Sequence, residues 1–493
     1  MSSPLDRTGG LPHVSNGSAL MDPTTHNLFI LAVGVAVVLG GILLLRLHAF
    51  LALVFAALLV AAMTTPDMLG NYAAQKGLNA NALESLQNQT VGARVADAFG
   101  STAAKIGILI AMASIIGKCL LDSGAADRIV RSAMKLFGER FAPLAFVFSG
   151  FLLGIPVFFD TVFYLMIPLG KAMRLRSGKN YLLYVLTIVA GGTMAHSLVP
   201  PTPGPLFVAE ELGVDIGRMM IAGCCVGLFT AAYGYFHALL MNRFCELPLR
   251  ESADFSLADA ERAAQVDEAE LPPLFFSLLP IVLPVILIGG YTISKPFLDG
   301  QWQSIAATLG DKNIALTISA AFALALLMWH KRTSREDLAD AVGKALSSGG
   351  VIILITSAGG AFGAMLQQTG VAGLIESISP RDPTIVICLA FFITTAIRSA
   401  QGSSTVAMIT TVGILGGMAS QLSVDPVYLA LAIGCGSKPI SWMNDSGFWV
   451  ITKMSGMTEA EGLKYISPMT AIMGLVGLVV TVIGAQVLPH PFG

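Results

Sequence analysis

The sequence predicts an all-α polytopic membrane protein folded as an inverted repeat, with about ten spanning helices, two re-entrant hairpins and two discontinuous helices. Three observations predict it. The mean hydropathy is +0.73, and 54% of the residues are hydrophobic against 12% charged, which excludes an ordinary soluble globular protein. Apolar stretches approaching the ~20 residues needed to cross a bilayer recur along most of the chain. Four of them are interrupted by Gly, Pro and polar residues, and the interruptions come in the same order in each half.

Residues 1–26 are polar, rich in Ser, Gly and Pro, and lack the basic start and short apolar core of a signal peptide, so they are expected to be a disordered tail. The first repeat is expected over 27–241. It opens with spans at about 27–45 and 50–63, joined by a short turn carrying Arg46 and His48. A polar segment, 64–100, leads to a third span at about 103–121. Basic residues then bracket an apolar stretch, 141–170: Arg128, Arg131, Lys135 and Arg140 precede it, and Lys171, Arg174, Arg176 and Lys179 follow. Both basic loops are cytoplasmic by the positive-inside rule, so the stretch must enter and leave on one side. Gly154 and Pro156 interrupt its middle, which reads as a re-entrant hairpin with a deep tip, a pair of short crossings being the alternative. The next apolar segment starts at Tyr181 and is broken over 191–205 by four prolines, three hydroxyls and a histidine. No continuous helix is expected through that stretch, because proline removes donors and stops the helix. A span at about 219–240 closes the repeat.

Residues 242–272 form a charged cytoplasmic linker, with eight acidic residues and two arginines between Glu246 and Glu270. The second repeat, 273–493, restates the order: spans at about 275–294 and 314–329, a basic loop with Lys331, Arg332, Arg335 and Lys344, and a span at about 351–367. A hairpin over 383–419 follows, then a span broken at 434–447 and a closing span at about 469–487. Five crossings and one hairpin per half is an odd count, which inverts the second half, and the loop charges agree. The run from Ile106 to Ser114 also resembles that from Ile352 to Gly360 at the matching position. Inverted repeats whose discontinuous helices meet near the midplane are the architecture of secondary transporters.

A net charge of −2 gives no hint of a nucleic-acid partner. The six cysteines lie mostly in apolar segments without ligand spacing, so neither a disulfide framework nor a metal site is implied, and no cofactor is called for. The lipid bilayer is the partner the composition demands.

Non-helical backbone at membrane depth is tolerated only where it lines a protein-enclosed cavity, so the two hairpin tips and two breaks are the expected walls of a binding site. A charged side chain there costs about 2.5–3.5 kcal/mol on insertion scales and needs a partner or a function. Asp160, at the first tip, is the leading candidate for a proton carrier, since burial favours the protonated carboxyl; as a bland alternative it caps a helix. His196 can titrate, donate to a substrate hydroxyl, or simply pair with a carbonyl freed by the break. Arg398 suits a substrate carboxylate, and equally suits the interface or Asp445. Ser403, Ser404 and Thr405, and likewise Asn444, Asp445 and Ser446, precede apolar helices and place hydroxyls and free N–H groups at N-termini that attract anions. Ser197, Thr202, Gly204 and Gln401 share these breaks and complete the expected substrate-binding set, while Asp160, His196 and Asp445 are the expected proton-coupling groups. Lys438 is a further cation, to be held by an anion or by Asp445.

Sodium coupling is the rival within transport, because Ser, Thr, Asn and backbone carbonyls also coordinate Na⁺. A hydrolase built on His196, Ser197 and Asp160 is disfavoured: adjacent His and Ser seldom present relay geometry, and no Gly-x-Ser-x-Gly elbow occurs. Two closed, inverted halves around a midplane site also argue for alternating access over a passive channel.

Five segments together resemble the gluconate permease family, proton-coupled carriers of sugar acids within the ion-transporter superfamily. They are Gly154-Ile-Pro-Val-Phe-Phe-Asp160, Ala195-His-Ser-Leu-Val-Pro-Pro-Thr-Pro-Gly204, Ala361-Phe-Gly-Ala-Met-Leu366, Ala400-Gln-Gly-Ser-Ser-Thr-Val-Ala-Met408 and Asn444-Asp-Ser-Gly-Phe-Trp449. The resemblance implies inner-membrane symport of protons with gluconate or a related small hydroxylated carboxylate, and its analogy favours a homo-oligomer. Asp160 stands where a Glu is expected in familiar members and Thr202 where a His is common, and the surroundings of Lys438 depart from the pattern.

Overall fold

Helices make up every regular element in the described residues, 23–250, 268–370 and 382–491, of the computed structural model. Most of the expected N-terminal tail and the middle of the expected linker lie outside them. Helix α1 (Pro23–Leu43) begins inside the segment expected as tail. Helix α2 (Ala49–Met63) turns by 98° into the short α3 (Pro66–Gln75). Thr65 caps α3, Asn79 caps α4 (Ala80–Asn88), and Thr90 caps α5 (Val91–Asp122). The polar segment 64–100 is therefore largely helical, and the helix that holds the third span is 32 residues long.

Helix α6 (Ala125–Phe137) is amphipathic, buries Ile129, Val130 and Ala133, and turns by 113° into the limb that holds α7 (Ala142–Gly154). Helix α7 meets α8 (Phe159–Ser177) at the tip 155–158, where the sequence places Gly154 and Pro156. Helices α9 (Tyr181–Leu198) and α10 (Pro203–Glu211) are separated by 199–202 alone. The expected break at 191–205 is thus corrected: 191–198 is helical, and only the prolines interrupt. Gly191 is there for packing. A Cβ on it would lie 2.4 Å from the Val147 carbonyl oxygen, so α7 and α9 touch backbone to backbone. Gly191→Val is expected to cost about 1–3 kcal/mol through overpacking, read as a lowered melting temperature of the purified protein. Gly92→Val, where a Cβ meets nothing within 4 Å, is the control.

Helix α11 (Ile216–Phe244) precedes the linker, and α12 (Leu274–Phe297) follows it, with a π-helical stretch, Val285–Gly289, directly after Pro284. Then come α13 (Gly300–Leu309), α14 (Lys312–Lys331) and α15 (Arg335–Gln368). Helix α16 (Pro383–Gln401) meets α17 (Ser404–Leu415) at the tip 402–403. Helices α18 (Val427–Gly436) and α19 (Ser446–Ser455) are separated by the longer break 437–445. Helix α20 (Glu459–Val487), opened by a Thr458/Glu461 capping box, ends the fold.

Among the described residues nine helices are long and apolar enough to cross a membrane, and eleven if each bent pair counts as one span. Phe229 and Phe236 on α11, Leu389 and Phe392 on α16, and Val479 and Ile483 on α20 are large apolar side chains left exposed by the protein. Hydrocarbon is the medium in which that surface is stable, and the chain is a multi-pass membrane protein.

Helices α5 and α15 cross as the central pair, with α2 against α15 and α14 against α5. Small residues set the crossing: a Cβ on Gly349 would lie 2.6 Å from Ser114 Oγ, and one on Gly360 2.1 Å from Thr102 Oγ1. Around them α7 packs on α9, α9 on α11, α11 on α20, and α16 on α18. The described ends of the linker meet the basic loops. Glu246 pairs with Arg174 at 3.2 Å, Glu268 pairs with Arg128 at 3.5 Å and also with Lys135, and Arg128 donates to the Pro272 carbonyl at 2.7 Å.

Candidate functional site

The two tips and the longer break converge on one cavity of about 390 Å³. Ser348 and Ile352 of α15 form part of its wall, close to the middle of that 34-residue helix. At 1.5 Å per residue α15 is about 50 Å long, more than the ~30 Å hydrocarbon core, so part of it extends beyond the apolar layer.

Three helix N-termini line the cavity. Phe158, Phe159, Asp160 and Thr161 open α8; Ser403, Ser404 and Thr405 open α17; Asp445, Ser446 and Gly447 open α19. Ser403 accepts from the Val406 N–H at 3.3 Å and Asp445 from the Gly447 N–H at 2.9 Å, each as an N-cap. Helix α8 differs: its N-cap is Phe158, no side chain caps it, and Asp160 lies inside the first turn. The capping role weighed for Asp160 is therefore not the one it plays. Its carboxylate takes part in no hydrogen bond or ion pair among the described residues, and Asp445 and Lys438 are the charges whose fields reach it. Helix N-termini carry partial positive charge and uncommitted N–H groups, so the three together favour an anion.

Arg398, 2% exposed on the last turn of α16, uses all three of its nitrogens as donors to protein. Its Nε donates to the Ser437 carbonyl at 3.1 Å, Nη1 to the Gly402 carbonyl, and Nη2 to Asp445 Oδ2. Asp445 Oδ2 also accepts from Ser441 Oγ, and Ser404 Oγ donates to the Ser437 carbonyl at 2.9 Å. Asn444 Nδ2 donates to the carbonyls of Ser399 at 2.8 Å and Ala400 at 3.2 Å. The tip 402–403 and the break 437–445 are thereby tied into one polar unit. Gly402 is required where they meet, with φ 86° and a Cβ position 2.0 Å from the Asn444 carbonyl oxygen. Ile440 is held at φ 57°, a conformation a β-branched residue rarely adopts, so the break has one imposed shape.

Lys438 and His196 are the polar groups left over. Lys438 lines the cavity while only 7% exposed, and its ammonium donates no hydrogen bond and closes no ion pair among the described residues. His196, on the last turn of α9, has a buried Nδ1 with no partner, and its ring meets Phe158 edge-on at 6.0 Å.

Of the residues singled out from the sequence, Asp160, His196, Arg398, Ser403, Ser404, Thr405, Asp445 and Ser446 line this cavity. Ser197, Thr202, Gly204, Gln401 and Asn444 do not. Ser197 is fully buried on a helix that continues past it, Thr202 Oγ1 donates to the Val199 carbonyl at 2.7 Å, and Gly204 packs on Met408. Gln401 donates to the Ser403 carbonyl at 3.4 Å, and Asn444 is spent on α16. Sequence reasoning missed Ser348, Ser441 and Thr470. Ser348 and Thr470 sit in helix interiors far from any break, each bonded to its own helix backbone, and carry no signal that separates them from ordinary membrane Ser and Thr. Ser441 does sit in a stretch flagged as a break.

The sequence model for GntP family permeases matches residues 26–487. The chain belongs to the GntP permease family. A gluconate permease of Pseudomonas aeruginosa is 32% identical over 397 residues, covering 80% of this chain and 87% of that protein. The inner membrane permease YgbN of Escherichia coli is 30% identical over 400 residues, covering 79% and 88%. A low-affinity gluconate transporter of Escherichia coli is 29% identical over 479 residues, covering 94% and 100%. In fold, this GntP permease is similar to Neisseria gonorrhoeae MtrF, with a TM-score of 0.61 at 14% identity over 79% of this chain and 82% of that one. It is also similar to the Alcanivorax borkumensis YdaH transporter, with a TM-score of 0.58 at 14% identity over 84% and 91%. The protein is a multi-pass inner-membrane permease and not an enzyme.

Proposed function

We propose that this permease carries gluconate or a related small hydroxylated carboxylate by proton-coupled symport, with Asp160 as the proton carrier. The observation that carries the reading is the cavity where three helix N-termini face an unpartnered carboxylate. The N-termini favour the substrate's anionic end, and the hydroxyls of Thr161, Thr193, Ser403, Thr405 and Ser446 suit a polyol chain. A volume of about 390 Å³ is ample for a six-carbon acid. A proton on Asp160 taken up with a monoanionic substrate leaves the site's net charge unchanged, so the loaded carrier reorients with no more charge in the low-dielectric medium than the empty one. The names of the relatives support gluconate as the first substrate to test.

The same reading makes 27–241 and 273–493 inverted repeats. Aligning Ile106 with Ile352 pairs Ser114 with Gly360 and Thr102 with Ser348. The contact of Thr102 with Gly360 then has its counterpart in the contact of Ser114 with Gly349, next to Ser348, as a two-fold axis through the α5–α15 crossing requires. Alternating access follows if the elements holding the cavity move against that crossing.

The test is uptake of labelled D-gluconate into proteoliposomes under an inward proton gradient without sodium, and separately under a sodium gradient without a pH difference. Accumulation in the first condition alone, abolished by a protonophore, is expected. Accumulation only with sodium would replace the coupling ion, and none in either would remove gluconate.

A further inference from the structure

We infer that Lys438, and not Arg398, is the residue that recognises the substrate carboxylate and so sets the requirement for an anion; the inference rests on the carboxylate reading above. Arg398 is the side chain the sequence nominates, since guanidinium matches carboxylate geometry. In the structure its Nε, Nη1 and Nη2 each already donate once, to the Ser437 carbonyl, the Gly402 carbonyl and Asp445. Two of its five N–H groups are left, one on each Nη, and bidentate capture of a substrate carboxylate would compete with the link between tip and break. Arg398 is first a bracing group.

Lys438 is the next residue after that link. Its own N–H donates to the Cys435 carbonyl at 3.3 Å, closing the end of α18, so its backbone is fixed while its side chain faces the cavity. The residue is largely buried while its ammonium reaches the cavity, and no protein group among those described hydrogen-bonds to it or closes an ion pair with it. A charge so little solvated favours a counter-ion, and an anion entering the cavity supplies it. Asp445 cannot serve, being held by Arg398 and Ser441. Asp160 is the other nearby carboxylate, itself unpaired.

This arrangement also balances charge in both states that must cross the membrane. With the site empty, Asp160 carboxylate and Lys438 ammonium offset one another. With it loaded, the proton neutralises Asp160 and the substrate carboxylate offsets Lys438. The Arg398–Asp445 pair is neutral throughout. Lys438 therefore assigns one end of the cavity to a carboxylate and leaves the hydroxyl-bearing N-termini to the polyol, so neutral analogues with the same polyol chain are excluded.

The experiment compares wild type, Lys438→Gln, Lys438→Met and Lys438→Arg in proteoliposomes, measuring how D-gluconate and its neutral amide, D-gluconamide, compete with exchange of labelled D-gluconate. Wild type is expected to prefer the acid by roughly 100-fold, the range for a buried charge partner. In Lys438→Gln the acid should weaken by a similar factor and the preference fall to a few-fold, while Lys438→Arg retains most of it. Melting of the unliganded protein separates recognition from folding. Lys438→Met is expected to melt close to the wild-type temperature, because no hydrogen bond is lost and Asp160, left without its offsetting charge, can take up a proton. Gluconamide binding in the variants by thermal shift serves if exchange is too slow to measure. Preserved acid preference in Lys438→Gln, or a large fall in the melting temperature of Lys438→Met, would overturn the assignment to Lys438 while leaving gluconate transport intact. A wild type that neither exchanges nor binds gluconate would instead remove the carboxylate reading, and this inference with it.

Discussion

Asp445→Ala is expected to lower the stability of the purified permease by about 3–5 kcal/mol, the cost of stranding a buried ion-pair partner, and to eliminate uptake. Asp445 accepts from Arg398 and Ser441 through Oδ2 and from the Gly447 N–H through Oδ1. Its loss strands a guanidinium that is 2% exposed and uncaps α19, which adds about 1 kcal/mol. Tip 402–403 and break 437–445 then lose the side chain that joins them. Thermal unfolding in detergent measures the first effect and reconstituted uptake the second. Replacing both partners, Arg398→Met with Asp445→Leu, should restore much of the stability, since apolar residues can replace a buried pair without penalty. It should not restore uptake, because the cavity loses its polar wall. If the double variant transports at the wild-type rate, Arg398 and Asp445 are ornament to the site.

Asp160→Asn should have the largest effect on energetics of transport and almost none on folding. The wild-type carboxylate makes no hydrogen bond or ion pair among the described residues, so an isosteric amide breaks no contact, and losing the charge that offsets Lys438 should lower the melting temperature only slightly. What it removes is the proton. A pH difference of one unit is worth about 1.4 kcal/mol, hence roughly tenfold accumulation at one-to-one coupling, and the variant should equilibrate gluconate without accumulating it. Exchange of internal for external gluconate needs no net proton movement and should persist. Loss of exchange together with accumulation would make Asp160 a binding group and leave the proton carrier to be found elsewhere in the cavity.

Much of this site was legible in the chain, because membrane helices rarely spend Gly, Pro and polar residues without cause. Gly154 and Pro156 marked the first tip, and the prolines at 200, 201 and 203 marked the first break, which is shorter than the stretch the sequence flagged. Asp160, Ser403, Ser404, Thr405, Asp445 and Ser446 were reachable for the same reason, as polar residues at the starts of apolar helices. What could not be read depended on which surfaces meet. Gly191 and Gly192 looked like breakers and are packing residues, a distinction that exists only once α7 lies against α9. For Arg398 the sequence offered Asp445 as well as a substrate carboxylate, and the pair with Asp445 forms, but the chain does not reveal that the Ser437 and Gly402 carbonyls also surround it. Lys438 drew little notice because its lack of a partner is a property of the assembled cavity. Segment 64–100 reads only as polar in the sequence, with no helices assigned, because short capped helices have neither a long apolar run nor a sustained period.

The most direct test of proton-coupled carboxylate transport through this cavity is to watch the protons. Unlabelled D-gluconate is added to lightly buffered proteoliposomes, free of sodium and with no initial pH difference, while an external pH dye reports the medium. The account predicts alkalinisation of the medium that tracks gluconate uptake mole for mole in the wild type and is absent in Asp160→Asn. Gluconate uptake by the wild type with no change in external pH would contradict it.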